Sequence, residues 1–531
     1  MLRKIRIGLA TIVMVLITLL FLDFTGTLHH WLGWLAKIQF MPALLAVNVG
    51  VVVALVVLTL IFGRIYCSVI CPLGILQDVI HHIGRKPNKQ TYSKEKRWLR
   101  YGLLVIFVAA FFLGVNSLVA LLAPYSSYGR IAQNLLQPIW IAGNNVLAFL
   151  AEHNKSYQFY TVDVWIRSAP TFIIALVTLI VLVALAWRGG RTYCNTICPV
   201  GTLLSFFARF SWLKIRFDES KCKKCGKCAR NCKASCIDFK SMKVDYSRCV
   251  VCGNCLKQCN FDSLHYAGPG AGSSRKSNSS SDSGNTSGSR DAVDEGRRAF
   301  LVGAALATSA AALAQEKKKV DGGLAVIEDM VEPARNTPLT PPGSLSASNM
   351  QKRCTGCQLC VSECPNHVLV PSTDLLKLMQ PTMSYVRGYC RPECNRCSEV
   401  CPAGAIKPIT LADKSSTQIG HAVWVKENCL PVKDGVECDN CERHCPVGAI
   451  EMVMLDEEDE ESVLIPAVNE ARCIGCGACE HLCPARPFTA IYVEGHEVHK
   501  EVGRLSAASR LVKGFMVYGL WFMVNGYWLM G

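Results

Sequence analysis

Of the 29 cysteines in this chain of 531 residues, 24 fall into six short groups of four. The first two groups, Cys222, Cys225, Cys228, Cys232 and Cys249, Cys252, Cys255, Cys259, share the spacing C-x2-C-x2-C-x3-C. The later groups are Cys354, Cys357, Cys360, Cys364; Cys390, Cys394, Cys397, Cys401; Cys429, Cys438, Cys441, Cys445; and Cys473, Cys476, Cys479, Cys483. Three thiolates on one tight loop fit three corners of a cubane, and a fourth after a gap of three reaches a neighbouring cluster. The pattern therefore predicts six 4Fe–4S clusters, with these 24 cysteines as the iron ligands. Zinc takes separated C-x2-C pairs, and disulfide scaffolds belong to small secreted domains. Neither matches runs of four thiols. In the first two groups the spacing predicts a crossed arrangement: Cys222, Cys225, Cys228 with Cys259, and Cys249, Cys252, Cys255 with Cys232. A proline follows the last cysteine of the later groups, at Pro365, Pro402, Pro446 and Pro484, whereas Lys233 and Asn260 stand there in the first two.

Four more cysteines lie in a repeated motif, G-R-x-Y-C-x-x-I-C-P-x-G. It runs from Gly63 to Gly74 with Cys67 and Cys71, and from Gly190 to Gly201 with Cys194 and Cys198. Cysteines at i and i+4 share a helix face. An internal repeat predicts two copies of one structural unit, and a pseudo-twofold would bring the four thiols together. They would then form a redox or metal centre, whether a cluster, a mononuclear metal or a dithiol. The plainer alternative is a structural cap on each copy. Cys236 belongs to no group and reads as a buried free thiol. His29, His30, His81 and His82 could ligate haem or face a quinol, but surface histidine is the simpler reading, and C-x-x-C-H is absent.

These residues must be held by membrane-embedded elements. Half the chain is hydrophobic, and four apolar runs approach the roughly 20 residues needed to span a bilayer. They cover Ile5 to Phe24, Met41 to Gly63, Leu99 to Ala123 and Pro170 to Trp187. Residues 64–100 are rich in Lys and Arg and residues 124–169 are not, which puts the first loop in the cytoplasm and the second outside. The net charge of +15 thus acts as a topology signal, not a nucleic-acid surface. The expected order is a four-span membrane domain (1–214), a two-cluster domain (215–267) and a Gly/Ser/Asn linker (268–296). A twin-arginine-like signal or anchor helix (297–315) follows, with Arg297 and Arg298 opening an apolar stretch that ends at Ala314. After it come a lead-in (316–349), a four-cluster domain (350–500) and an apolar C-terminal helix (501–531). No Ser–His–Asp set, phosphate loop or dinucleotide fingerprint is present, so no nucleotide or flavin site is expected.

Residues 1–267 resemble the NapH-type membrane iron–sulfur subunits, with four spans, two C-x3-C-P motifs and two cysteine quartets. Residues 297–500 resemble the NapG-type subunits, with a twin-arginine signal and four quartets. The resemblance implies an α-helical membrane domain (four helices, an internal two-span repeat) plus two small α+β ferredoxin-like domains. It implies the electron-transfer component of a quinol dehydrogenase in the inner (cell) membrane. Its partners would be the quinone pool and an exoplasmic reductase or cytochrome, with residues 350–500 periplasmic. Carried over from four-cluster ferredoxin subunits, Cys483 completes the first later cluster and Cys364 the last, while Cys401 and Cys445 exchange between the inner two. A redox maturation factor or a redox-sensing regulator for another metalloenzyme is the alternative, because the C-x3-C-P repeat also occurs in such proteins.

Overall fold

The computed structural model describes residues 2–84, 92–155, 158–268, 320–321, 325–326, 329–456 and 462–502. The linker, the twin-arginine-like segment and the C-terminal helix lie outside the described residues. The chain forms two compact units. One comprises Met1–Asp23, His30–Ile327 and Thr355–Cys357; the other comprises Phe24–His29, Glu328–Cys354 and Gln358–Gly531.

The first unit opens with α1 (Leu2–Leu22), α2 (Phe40–Leu45), α3 (Val49–Phe62), α4 (Tyr66–Val69) and α5 (Pro72–Ile83). Then come α6 (Arg97–Phe112), α7 (Asn116–Leu122), α8 (Pro124–Ile131), α9 (Gln137–His153), α10 (Ala169–Gly189), α11 (Thr192–Thr196) and α12 (Pro199–Ala208). Among the described residues, α1 and α10 are long and apolar enough to cross a bilayer. The other two expected spans are interrupted. Asn48 ends the run Met41 to Gly63 as one helix by capping α3, its side chain accepting from Val51 N at 3.3 Å. Gly114, at φ +76°, breaks the third run between α6 and α7, a conformation that costs glycine little.

Polarity in this unit is inverted. The largest fully buried side chains include Arg64, Arg100, Arg130 and Arg191, while Val53, Val105, Ile173 and Ile180 are exposed. The two motif copies pack reciprocally. Helix α5, after the first motif, lies on α10, which precedes the second; α12, after the second, lies on α3, which precedes the first.

A small cysteine-rich module completes the first unit. Strand β1 (Lys214–Phe217) pairs antiparallel with β4 (Leu264–Ala267), and β2 (Ile237–Asp238) with β3 (Lys243–Val244). Between them α13 (Lys227–Arg230) packs on α14 (Asn254–Gln258). The module is hydrogen-bonded to the end of α3: Trp212 N donates to Leu60 O at 2.7 Å and Tyr266 Oη to Phe62 O at 2.9 Å.

The second unit repeats this device twice. Helix α15 (Leu359–Ser362) packs on α16 (Arg396–Val400), with β5 (Leu369–Pro371) antiparallel to β6 (Pro381–Met383). Further on, α17 (Leu411–Ser416) leads into β7 (Thr417–Trp424), and α18 (Asn440–Arg443) packs on α19 (Ala478–Leu482). Strands β8 (Ile450–Met454) and β9 (Leu464–Val468) form a hairpin, and β10 (Ile491–Glu501) pairs antiparallel with β7. At α13, α14, α15 and α19 the residue after the second cysteine is left-handed: Gly226, Gly253, Gln358 and Gly477. That turn starts a one-turn helix on which the third cysteine sits. Each packed helix pair therefore joins two consecutive quartets.

Candidate metal centres

The repeated motif explains itself residue by residue. Gly63 (φ +78°) and Gly190 (φ +62°) stop α3 and α10 in a conformation a side chain would strain. The arginine after each glycine then crosses to the other copy. Arg64 Nη2 donates to Cys194 O at 3.1 Å, and Arg191 Nη1 donates to Cys67 O at 2.6 Å. Cys71 and Cys198 are the N-caps of α5 and α12, with Pro72 and Pro199 in the first turn, where proline costs no hydrogen bond. The closing glycines make room for the crossed arginines. A Cβ on Gly74 would come within 2.6 Å of Arg191 Nη1, and one on Gly201 within 2.8 Å of Arg64 Nη2.

Cys67, Cys71, Cys194 and Cys198 are all buried and close enough to act on one another electrostatically. Arg64 Nη2 stands 3.8 Å from Cys67 Sγ and Arg191 Nη1 stands 3.9 Å from Cys194 Sγ. Gln77 Nε2 donates to Cys194 Sγ at 3.2 Å. Burial, then the Cys194 thiol, pushes the Cys71 thiol well above its ordinary value; burial and the same neighbour do so for Cys198. Arg64 Nε and Arg191 Nη2 are buried without a hydrogen-bond partner. Four thiols framed by two guanidiniums with donor capacity to spare suit an anionic redox centre.

Beneath them Asp78 gathers three cations: Arg191 Nε at 2.8 Å, Arg6 Nη1 at 3.1 Å and Lys233 Nζ at 3.3 Å. Burial alone would raise the Asp78 carboxyl, but Arg191, Lys233 and Arg6 hold it well below the carboxylate range. Asp78 lies outside the repeated motif and carries no signature in the sequence. His29 and His81 are buried, His81 with its Nδ1 3.2 Å from Ala186 O, so the surface reading fails for both; His82 and His30 are exposed.

The first module is joined directly to this centre. Lys233, in the place of the usual proline, accepts Arg191 N at 2.9 Å, and a Cβ on Gly190 would meet the same carbonyl at 2.4 Å. Arg64 Nη1 donates to Ser247 O at 3.0 Å, two residues before Cys249. Both crossed arginines thus touch the loops that carry Cys232 and Cys249. Around Cys255 lie Cys252, Cys249, Cys232 and Cys228. Cys228 neighbours Cys225 and Cys222, and burial pushes its thiol up to about 11. Cys236 does not stand apart as expected. Its Sγ lies 3.5 Å from Cys232 Sγ, and Cys249 is near enough to act on it electrostatically. The hydrogen bond between the two thiols is the main reason the Cys232 thiol is held below its ordinary value while that of Cys236 is pushed up.

In the second unit three cavities are lined by thiols. One is bounded by Cys390, Cys394, Cys397 and Cys364; another by Cys429, Cys438, Cys441 and Cys483; the third by Cys473, Cys476, Cys479 and Cys445. Three thiols from one quartet and the fourth of its partner fit a cubane. The expected exchanges, Cys364 with Cys483 between the outer quartets and Cys401 with Cys445 between the inner two, are therefore corrected: Cys364 lies with the Cys390 group, Cys483 with the Cys429 group and Cys445 with the Cys473 group, because the packed helix pairs α15/α16 and α18/α19 bring consecutive loops together. The two modules meet where Cys390 N donates to Cys476 O at 2.9 Å. Buried Lys414 donates to the carbonyls of Arg391 and Cys394 and sets a positive charge beside Cys390. Among the described residues no three His, Cys, Asp or Glu side chains close on a single ion. Cubane ligands stand further apart than that, since four irons separate them.

Short thiol-lined cavities on paired one-turn helices define an iron–sulfur electron-transfer protein. Comparison with known proteins agrees. The 4Fe-4S binding domain family matches residues 44–90 and 170–218, and the 4Fe-4S dicluster domain family matches residues 436–486. The methylamine utilization ferredoxin-type protein MauM of Methylobacillus flagellatus is 35% identical over 167 residues, 30% of this chain and 70% of MauM. The ferredoxin-type protein NapF of Escherichia coli K12 is 28% identical over 161 residues, 30% of this chain and 87% of NapF. The putative electron transport protein YccM of the same organism is 27% identical over 202 residues, 36% of this chain and 47% of YccM. No solved structure matches. The chain belongs to the ferredoxin-type 4Fe–4S proteins.

Proposed function

We propose that the chain is the electron-transfer component of a membrane quinol dehydrogenase, passing electrons through six 4Fe–4S clusters from the quinone pool toward an exoplasmic reductase or cytochrome. The observation that carries this reading is the joint between the four buried thiols and the first module, made by Arg191 N to Lys233 O and Arg64 Nη1 to Ser247 O. Clusters bound at the thiol quartets supply reversible one-electron storage. The protein's part is to fix the stations and exclude water. Arg64 and Arg191 stabilise negative charge at Cys67, Cys71, Cys194 and Cys198. The loops of Cys232 and Cys249 are held against that centre. In the second unit the order of stations runs from the Cys390 group through the Cys473 group to the Cys429 group.

The membrane reading, with four spans in an internally repeated domain and two ferredoxin-like domains, is supported by the apolar outward faces and buried arginines of the first unit. The ferredoxin-type relatives MauM and NapF support the electron-transfer part of this reading. The test is reduction in membranes. Adding quinol to vesicles holding the full chain should bleach the cluster absorbance, and Arg191→Gln should slow this at least tenfold while leaving iron content near wild type. Unchanged cluster absorbance with quinol in excess would refute quinol oxidation. A reporter fused after residue 330 tests the side of the membrane: cytoplasmic fluorescence there would refute export of the four-cluster domain.

A further inference from the structure

Around the second cluster position of the first module there are five sulfurs for four corners. Cys249, Cys252, Cys255 and Cys232 are the expected ligands, and Cys236 lies beside two of them, its Sγ 3.5 Å from Cys232 Sγ and within electrostatic reach of Cys249. Cys236 is 1% exposed, and its carbonyl accepts Asp245 N at 2.9 Å, so its backbone is fixed where β2 begins. The same place recurs elsewhere in the chain. The residue four positions after a fourth cysteine sends its N–H to that sulfur: Ser263 N to Cys259 Sγ at 3.4 Å, and Ala449 N to Cys445 Sγ at 3.2 Å. That position therefore sits beside the ligand sulfur, and in the first quartet alone it carries a thiol.

We infer that Cys236 is a reserve ligand of the cluster held by Cys249, Cys252 and Cys255, and takes the iron when Cys232 leaves it. This rests on the cluster reading above. In the exchange the Cys232 Sγ–iron bond breaks and a Cys236 Sγ–iron bond forms. One proton passes from Cys236 to Cys232, and no electron moves, so no oxidant is needed. The two half-modules then differ in kind: Cys259, with Ser263 beside it, has no substitute. The cluster nearest the four-thiol centre could open a coordination position and close it again without losing iron.

The test measures iron and acid-labile sulfide in the full chain purified from membranes, for Cys232→Ala, Cys259→Ala, Cys236→Ala and Cys232→Ala/Cys236→Ala. C232A and C236A should each keep the wild-type iron content. C259A and the double variant should each lose about four irons per chain. Iron loss in C232A equal to that of the double variant would overturn the proposal. Alkylation followed by mass spectrometry gives a second readout on the folded holoprotein. Mild chelator treatment should expose Cys236 to label in wild type, and Cys236 in C232A should stay protected until the cluster is lost. Labelling of Cys236 in cluster-loaded C232A would also overturn it. If C259A and wild type hold equal iron, the cluster assignment itself fails, a result distinct from either of these.

Discussion

Residues 215–267 and residues 350–500 use the same local device, two consecutive quartets joined by a pair of packed one-turn helices. They differ at one position. In the later quartets a proline follows the fourth cysteine; in the first quartet Lys233 does. Proline closes the loop on itself. Lys233 instead opens it outward, giving its carbonyl to Arg191 N and its ammonium to Asp78. The later modules are wired to each other through Cys390 N and Cys476 O, and the first is wired to the helices that carry the paired thiols. Replacing the proline therefore marks a module built to dock, and keeping it marks modules built to stack.

The comparison can be broken most strongly at Asp78. Asp78→Asn strands Arg6, Arg191 and Lys233 without their carboxylate, and removing one member of a buried ionic set costs about 3–5 kcal/mol. Thermal unfolding in detergent should show a large drop. Asp439→Asn, which removes the exposed partner of Arg443 in the second unit, should cost less than about 1 kcal/mol. Equal losses would mean the cation cluster does not anchor the first module. The sign with pH follows: the Asp78 carboxyl is depressed in the fold, so its contribution is present above the ordinary carboxylate range and lost as pH falls through the folded value.

Next in size is the reciprocity of the motif. Gly74→Ala pushes a methyl against the crossed Arg191 and the Cys67 carbonyl, and Gly201→Ala one against Arg64 and the Cys194 carbonyl. Both should destabilise by about 1–3 kcal/mol, an ordinary cost of overpacking, and by similar amounts. A silent Gly201→Ala would break the twofold relation.

A smaller effect separates the units by acid. His499, hydrogen-bonded through Nε2 to Thr340 Oγ1 at 2.9 Å, is pushed down to about 4 by burial and then by His496. Its unfolded form takes up a proton first, so the second unit loses stability as pH falls from about 6.5 toward 4, by about 1–2 kcal/mol. His499→Gln should flatten that part of the difference curve in denaturant melts. The smallest expected effect is on potential. Lys414→Met removes a positive charge beside Cys390 and should lower one cluster's midpoint by on the order of 50 mV in redox titration. A rise would contradict the placement of that charge.

The cysteine groups and the motif repeat were legible because ligand spacing is a local property of the chain. The nearness of Cys232 to Cys252 and Cys255 was legible too, because short loops dictate it. The exchange of Cys364 and Cys483 was misread because it depends on which helix pairs pack, and packing is not written in spacing. Lys233 and Asn260 were visible as missing prolines, but the partner of Lys233 is Asp78, 155 positions away in the chain. The breaks at Asn48 and Gly114 were hidden by runs that stay apolar across them. Cys236 looked free because only the β2 turn brings its sulfur back to Cys232.

The most direct measurement is iron and acid-labile sulfide in the full chain, purified without oxygen. The account predicts about 24 of each per chain from six 4Fe–4S clusters. A colourless protein, or one carrying zinc with no sulfide, would contradict it.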